Sequence, residues 1–65
     1  MFIKFNDKLI NTALVTKFEK DVRQKEYVID AIYVNGFGDN VHYDTEKFKD
    51  IGARDERFYQ LERTV

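Results

Sequence analysis

The stretch EYVIDAIYV, residues 26–34, constrains the fold more than any other part of the chain. At a period of two, Tyr27, Ile29, Ala31 and Tyr33 make one continuous apolar face. Val28, Ile32 and Val34 occupy the opposite face, with Asp30 in its middle. A strand that is apolar on both sides is central in a sheet or engaged by something else. The chain has 65 residues, which sets a single domain over 1–65. A domain of that size buries a modest fraction of its surface. Such scaffolds are usually reinforced by disulfides, a metal or a second copy. There is no Cys, which excludes disulfides and thiolate metal sites, and the one His, His42, excludes a multi-histidine site within one chain. What remains is an aromatic core built from six Phe and four Tyr.

The N-terminal segment FIKFNDKLI alternates, with Ile3, Phe5 and Leu9 expected on one side and Asn6-Asp7 turning between two short strands. Asn11-Thr12 is a second turn signal. LVTKFEKDV then reads as a half-buried strand, with Leu14, Thr16 and Phe18 on one face and Val15, Lys17 and Glu19 on the other. DVRQKE reads as a polar connection before the 26–34 strand. NVHYD follows as a short strand, with Val41 and Tyr43 facing one side and His42 the other.

The C-terminal third changes period. Asp44 or Thr45 is a capping candidate, and Phe48 and Ile51 are spaced i, i+3. One helix running to the end would place Asp55 and Glu62 inside the stripe of Phe48, Ile51, Phe58 and Tyr59. A break at Gly52 with Asp55 as a new N-cap avoids that. The spacing therefore predicts two short helices, 45–51 and about 55–63, with one kinked helix as the alternative. The class is α+β: a small curled antiparallel sheet of four to five strands, then one or two short C-terminal helices.

VNGFGDNV, residues 34–41, holds two of the three glycines. A phosphate loop needs glycines leading into a helix N-terminus. Here they join two strand-like segments, and Asn-Gly between apolar runs is a hairpin signal. Phe37 then either folds over the sheet edge or stands out as an anchor for a partner.

Catalytic chemistry finds little material. The chain has no Ser and no Cys, so the usual hydroxyl and thiol nucleophiles are missing except for Thr. His42 and Asp44 project from one face of a strand, but a His–carboxylate pair without a nucleophile is not a mechanism. Glu46 and Asp50 at i, i+4 are a candidate oxygen-ligand pair for a cation, or a solvated helix face laced with Lys47, Lys49 and Arg54. No enzyme and no cofactor is expected.

The formal net charge is −1, from 11 basic and 12 acidic residues. A nucleic-acid binder usually shows a basic excess or stripe. The nearest approach is the loose group Lys17, Lys20, Arg23 and Lys25, interrupted by Glu19, Asp21 and Glu26. The apolar runs are too short for a membrane span, and MFIKFNDK lacks the pattern of a signal peptide, so a cytoplasmic protein is expected.

The outline FIKFNDKLINTALVTKFE…VIDAIYVNGFGDNVHYD…FKDI resembles the flagellar FlbD-like proteins, small bacterial proteins with a strand-rich body and a C-terminal helix. Asn6-Asp7, Asn11, Leu14-Val15 and Asn35-Gly36 fall in comparable places, over about residues 2–51. The glycine loop is longer here and a second helical segment is expected, and no functional residue carries over. In size and character the chain is also similar to small phage inhibitors such as anti-CRISPR proteins. That likeness implies a protein that occupies a surface of a larger host complex. With the aromatic surplus, it makes a non-enzymatic protein-binding module the leading expectation, with Tyr27, Tyr33, Phe37, Asp39 and Tyr59 as partner-binding residues. The alternatives are a small nucleic-acid-binding regulator using Lys17, Lys20, Arg23 and Lys25, and a structural homodimer.

Overall fold

The computed structural model describes residues 1–34 and 41–64. Five strands and one helix follow in order: β1 (Phe2–Phe5), β2 (Lys8–Asn11), a 3₁₀ turn (Thr12–Leu14), β3 (Val15–Arg23), β4 (Glu26–Val34), β5 (Val41–Phe48) and α1 (Ile51–Glu62). The α+β class stands, but the sheet is divided. β1 and β2 form a separate antiparallel hairpin, and β3-β4-β5 form a three-stranded antiparallel sheet with β4 in the centre. The two-faced strand is therefore the central one.

Turn geometry sets the register. Asn6 and Asp7 both have positive φ, 50° and 62°. That is the pattern of a two-residue type I′ turn, whose twist suits a hairpin. It places Phe5 opposite Lys8, Lys4 opposite Leu9 and Ile3 opposite Ile10. Leu9 therefore does not share a side with Ile3 and Phe5. It is 72% exposed, and Ile10 takes the buried position. The link DVRQKE is not a loose connection either. β3 continues to Arg23, and Gln24 and Lys25 (φ 51° and 65°) make a second tight turn.

β3 departs from strict alternation. Val15 pairs with Tyr33 and Lys17 with Ile32, so a bulge lies between them. The extra residue shifts the phase, which lets Val15 and Phe18 both turn inward and leaves Thr16 exposed. The expected face of Leu14, Thr16 and Phe18 is broken by that bulge.

Most of the predicted helix 45–51 is strand, since residues 45–48 belong to β5. β5 runs to Phe48, with Asp44, Glu46 and Phe48 directed to the side that α1 and the hairpin cover. Two inward carboxylates hide the period-two pattern from a reading based on apolar residues. The helix begins later, capped by Asp50, whose side chain accepts from the Ala53 N–H at 2.9 Å. Gly52 lies inside the first turn rather than at a break, and Asp55 is within the helix, not its cap. The inward stripe is Arg54, Arg57, Phe58 and Leu61, while Ile51 and Tyr59 face out.

The core lies between the sheet, the hairpin and α1. Phe5, Ile10, Val15, Phe18, Ile29, Ala31 and Leu61 are buried together, flanked by Ile3, Tyr33, Phe48 and Phe58. Phe5 and Phe18 meet at 5.9 Å between ring centroids. The opposite face of β4 is not the open apolar patch its sequence suggests. Val28 is 2% exposed and Ile32 9%. Their cross-strand neighbours are Asp21 and Lys47 for Val28, and Lys17 and Tyr43 for Ile32. Long flanking side chains of this kind cover apolar surface with their stems.

Gln24 and Lys25 hold left-handed backbone without the Asn or Gly that tolerates it, a cost of about 1–2 kcal/mol per residue for an L side chain. Replacing both by Asn-Gly is expected to raise the unfolding free energy by about 1–2 kcal/mol in urea titration.

Candidate functional site

Two carboxylates on β5, Asp44 buried and Glu46 partly buried, organise the join between the hairpin and the sheet. Asp44 is 7% exposed. It accepts from Tyr33 Oη at 2.7 Å and from Lys8 Nζ at 3.0 Å, so one side chain ties β2, β4 and β5 together. Burial pushes its carboxyl up, but the Tyr33 and Lys8 hydrogen bonds outweigh that and hold its pKa below the ordinary value. The same hydrogen bond, with burial, raises the Tyr33 phenol. His42 stacks on the Tyr33 ring at 5.5 Å. It sits on the same side of β5 as Asp44, as the sequence suggests, but Asp44 spends its hydrogen bonds on Tyr33 and Lys8.

Glu46 is the second join. It accepts from Arg57 Nε at 3.0 Å and Nη2 at 3.2 Å, and from the Asn6 backbone N–H at 3.0 Å. Arg57 also donates to the Lys4 carbonyl at 2.7 Å, linking α1 to β1. Glu46 and Asp50 therefore do not form a pair on a helix: one is bound to an arginine and the other caps α1. Among the described residues no three of His, Asp and Glu gather as a metal-binding group.

The expected partner residues separate. Tyr27 lies on the covered face under the guanidinium of Arg54, 5.4 Å from its ring centroid. Arg54 is itself buried and donates to the Asp21 carbonyl at 3.0 Å. Tyr33 is fixed by Asp44. Tyr59 stands out from α1, 62% exposed. Phe37 and Asp39 lie outside the described residues. β4 and β5 are antiparallel, with Val34 opposite Val41, so segment 35–40 joins two paired strands and does not lead into a helix.

The four basic residues do not converge. In register, Lys17 and Arg23 lie on the open face of the sheet and Lys20 on the covered face. Lys17 pairs with Glu19 at 2.6 Å, and Arg23 bonds Asp30 and lies 3.5 Å from Asp21. Lys20 sits 5.0 Å over the Phe58 ring and 3.7 Å from Asp55. Lys25 is in the tight turn. Burial raises the Asp30 carboxyl, but hydrogen bonds from Arg23 and Thr45 more than offset that and hold it low.

Exposed apolar side chains are spread over the fold and include Val41 and Tyr43 on β5, Ile51 and Tyr59 on α1, and Phe2 and Leu9 on the hairpin. Phe2 and Leu9, 62% and 72% exposed, stand on the outward face of the hairpin. They border a groove of about 290 Å³ whose hairpin wall is Phe2, Lys8 and Leu9 and whose far wall includes Leu14, Tyr33 and Val34. Two groove residues, Lys8 and Tyr33, are the ones that Asp44 holds. The hairpin register, not the aromatic count, was the signal in the sequence for this surface: a two-residue turn at Asn6-Asp7 puts Leu9 outside. A second, more polar groove of about 230 Å³ lies at the β3–β4 turn, beside Arg23, Glu26 and Lys47. None of the described helices is long and apolar enough to cross a membrane. No family model, curated protein or solved structure matches the chain.

Because Asp44 has a lower pKa folded than unfolded, the unfolded chain takes up the proton first. The stability Asp44 provides is present above the unfolded value, about 4, and is lost as pH falls through the folded value. Asp30 acts in the same direction. Asp44→Asn is expected to lower the unfolding free energy at pH 7 by about 1–3 kcal/mol and to flatten the acid limb of the stability–pH profile, as read by urea denaturation.

Proposed function

We propose that the protein is a non-enzymatic protein-binding module and that the hairpin groove is its contact surface. The observation that carries this is the outward apolar pair Phe2 and Leu9 at the edge of a groove walled by Leu14, Tyr33 and Val34. Large apolar side chains grouped around a concavity mark interaction surfaces. A partner's apolar side chain seated there would be enclosed on two sides, the arrangement in which binding energy concentrates. The Asp44 and Glu46 joins hold both walls in place, so little ordering is left for the moment of binding. Acting by occupying a surface of a larger assembly, as a small inhibitor does, suits a chain of 65 residues.

Leu9→Glu combined with Phe2→Ser tests this reading. Both side chains are exposed, so the variant is expected to keep wild-type stability within about 0.5 kcal/mol. In affinity capture followed by mass spectrometry, wild type should retain a stoichiometric protein that the variant loses. Equal retention by both would remove the groove from the account.

A further inference from the structure

We infer that the hairpin groove of one copy takes the outward face of α1 from a second copy. This rests on the groove being a protein-binding surface, and it names the occupant. Two exposed surfaces of the same chain are complementary. On the hairpin, Lys4 lies directly opposite Leu9 in the register, and Lys8 lines the groove. Among the described residues, Lys8 is the one charged residue in the lining, and its ammonium is held by Asp44 at 3.0 Å, which leaves Lys4 as the free cation of this face. The surface is an apolar strip, Phe2 and Leu9, with the free lysine Lys4 beside it.

The outward face of α1 has the opposite character. Tyr59 is 62% exposed. Asp55, Glu56 and Glu62, all exposed, lie at i−4, i−3 and i+3 from it, neighbours on the helix surface. Asp55 is taken by Arg54 and Lys20. Glu56 and Glu62 form no ion pair among the described residues, and neither does Lys4. Arg63, which also forms no ion pair among the described residues, lies on the Tyr59 ring, 5.6 Å from its centroid, so two glutamates and one arginine surround the anchor and the face is acidic on balance. An aromatic anchor with free carboxylates thus faces outward on one element, and an apolar strip with the free lysine Lys4 faces outward on another.

The two surfaces are different, so the contact is head-to-tail rather than isologous. Apolar burial of Tyr59 against Phe2 and Leu9 supplies most of the attraction, and the charges set which face meets which. Exposed charges are screened by salt, so association weakens as salt rises. Self-association and binding of a foreign protein then compete for one groove.

The test is sedimentation equilibrium on three proteins: wild type, Lys4→Glu, and Glu56→Lys combined with Glu62→Lys. All three positions are exposed, and only Lys4 meets a join, through its backbone carbonyl, which the substitution keeps. Wild type should show a mass that rises above the monomer with concentration, less so at high salt. Each charge variant alone should associate at least about tenfold more weakly, because like charges now face each other. An equimolar mixture of the two variants should regain association, because the unaltered hairpin of one meets the unaltered helix of the other and the two altered surfaces are again opposite in charge. A monomeric wild type at every concentration overturns the inference, and so does a mixture no more associated than its components. A monomeric wild type that still loses a foreign partner on changing Phe2 and Leu9 sinks self-association alone and leaves the groove standing.

Discussion

The backbone ladders of the described strands stop at the edge of the β1–β2 hairpin, so its attachment to the three-stranded sheet falls to side chains. Phe5 and Ile10 enter the shared core, and Asp44 and Glu46 close the perimeter. Burying a carboxylate is unfavourable unless its oxygens are matched, and both are. Asp44 has one partner on the hairpin and one on the sheet, and Glu46 has one on the turn and one on the helix. No buried side-chain nitrogen or oxygen among the described residues lacks a hydrogen-bond partner. The groove, the position of α1 and the burial of Tyr33 all follow from that join.

The helix docks in the same polar manner. Two of its four inward positions are arginines. Arg57 grips Glu46 and the Lys4 carbonyl, while Arg54 lies over Tyr27 and reaches the Asp21 carbonyl. Leu61, 1% exposed, and Phe58 supply the apolar part. Arginine suits this task because its planar head gives several donors at fixed angles while its stem packs against apolar neighbours. A chain too small for a large core thus extends its buried interior with matched charges.

What could be read from the residues follows this division. The central position of 26–34 was legible, because a strand apolar on both faces suits the middle of a sheet, but the face that α1 covers was not, since Val28, Ile32 and Val34 are as apolar as Tyr27, Ile29, Ala31 and Tyr33. The hairpin turn at Asn6-Asp7 was legible from turn chemistry, but its consequence for Leu9 required counting the register across a two-residue loop. The first half of β5 was legible in NVHYD, but its extension to Phe48 and the start of α1 were not: Asp44, Glu46, Arg54 and Arg57 face inward, and a reading that assigns charge to the outside inverts their faces. The bulge in β3 carries no local mark, since Thr16 is an ordinary strand residue. Of the aromatic residues expected at the contact surface, Tyr27 and Tyr33 are occupied by Arg54 and Asp44, and Tyr59 alone of those described stands free of the core. Phe2 and Leu9 take the more exposed place on the hairpin.

The central claim is that the hairpin is a separately attached wall of the groove. Native-state hydrogen exchange by NMR, across a series of low urea concentrations, tests it most directly. The account predicts that paired amides of β1 and β2 open with a smaller free energy and a weaker urea dependence than those of Ile29 and Ala31 in β4. If both sets open with the same free energy and the same urea dependence, the hairpin and the sheet are one cooperative unit and the account of a side-chain-attached wall is wrong.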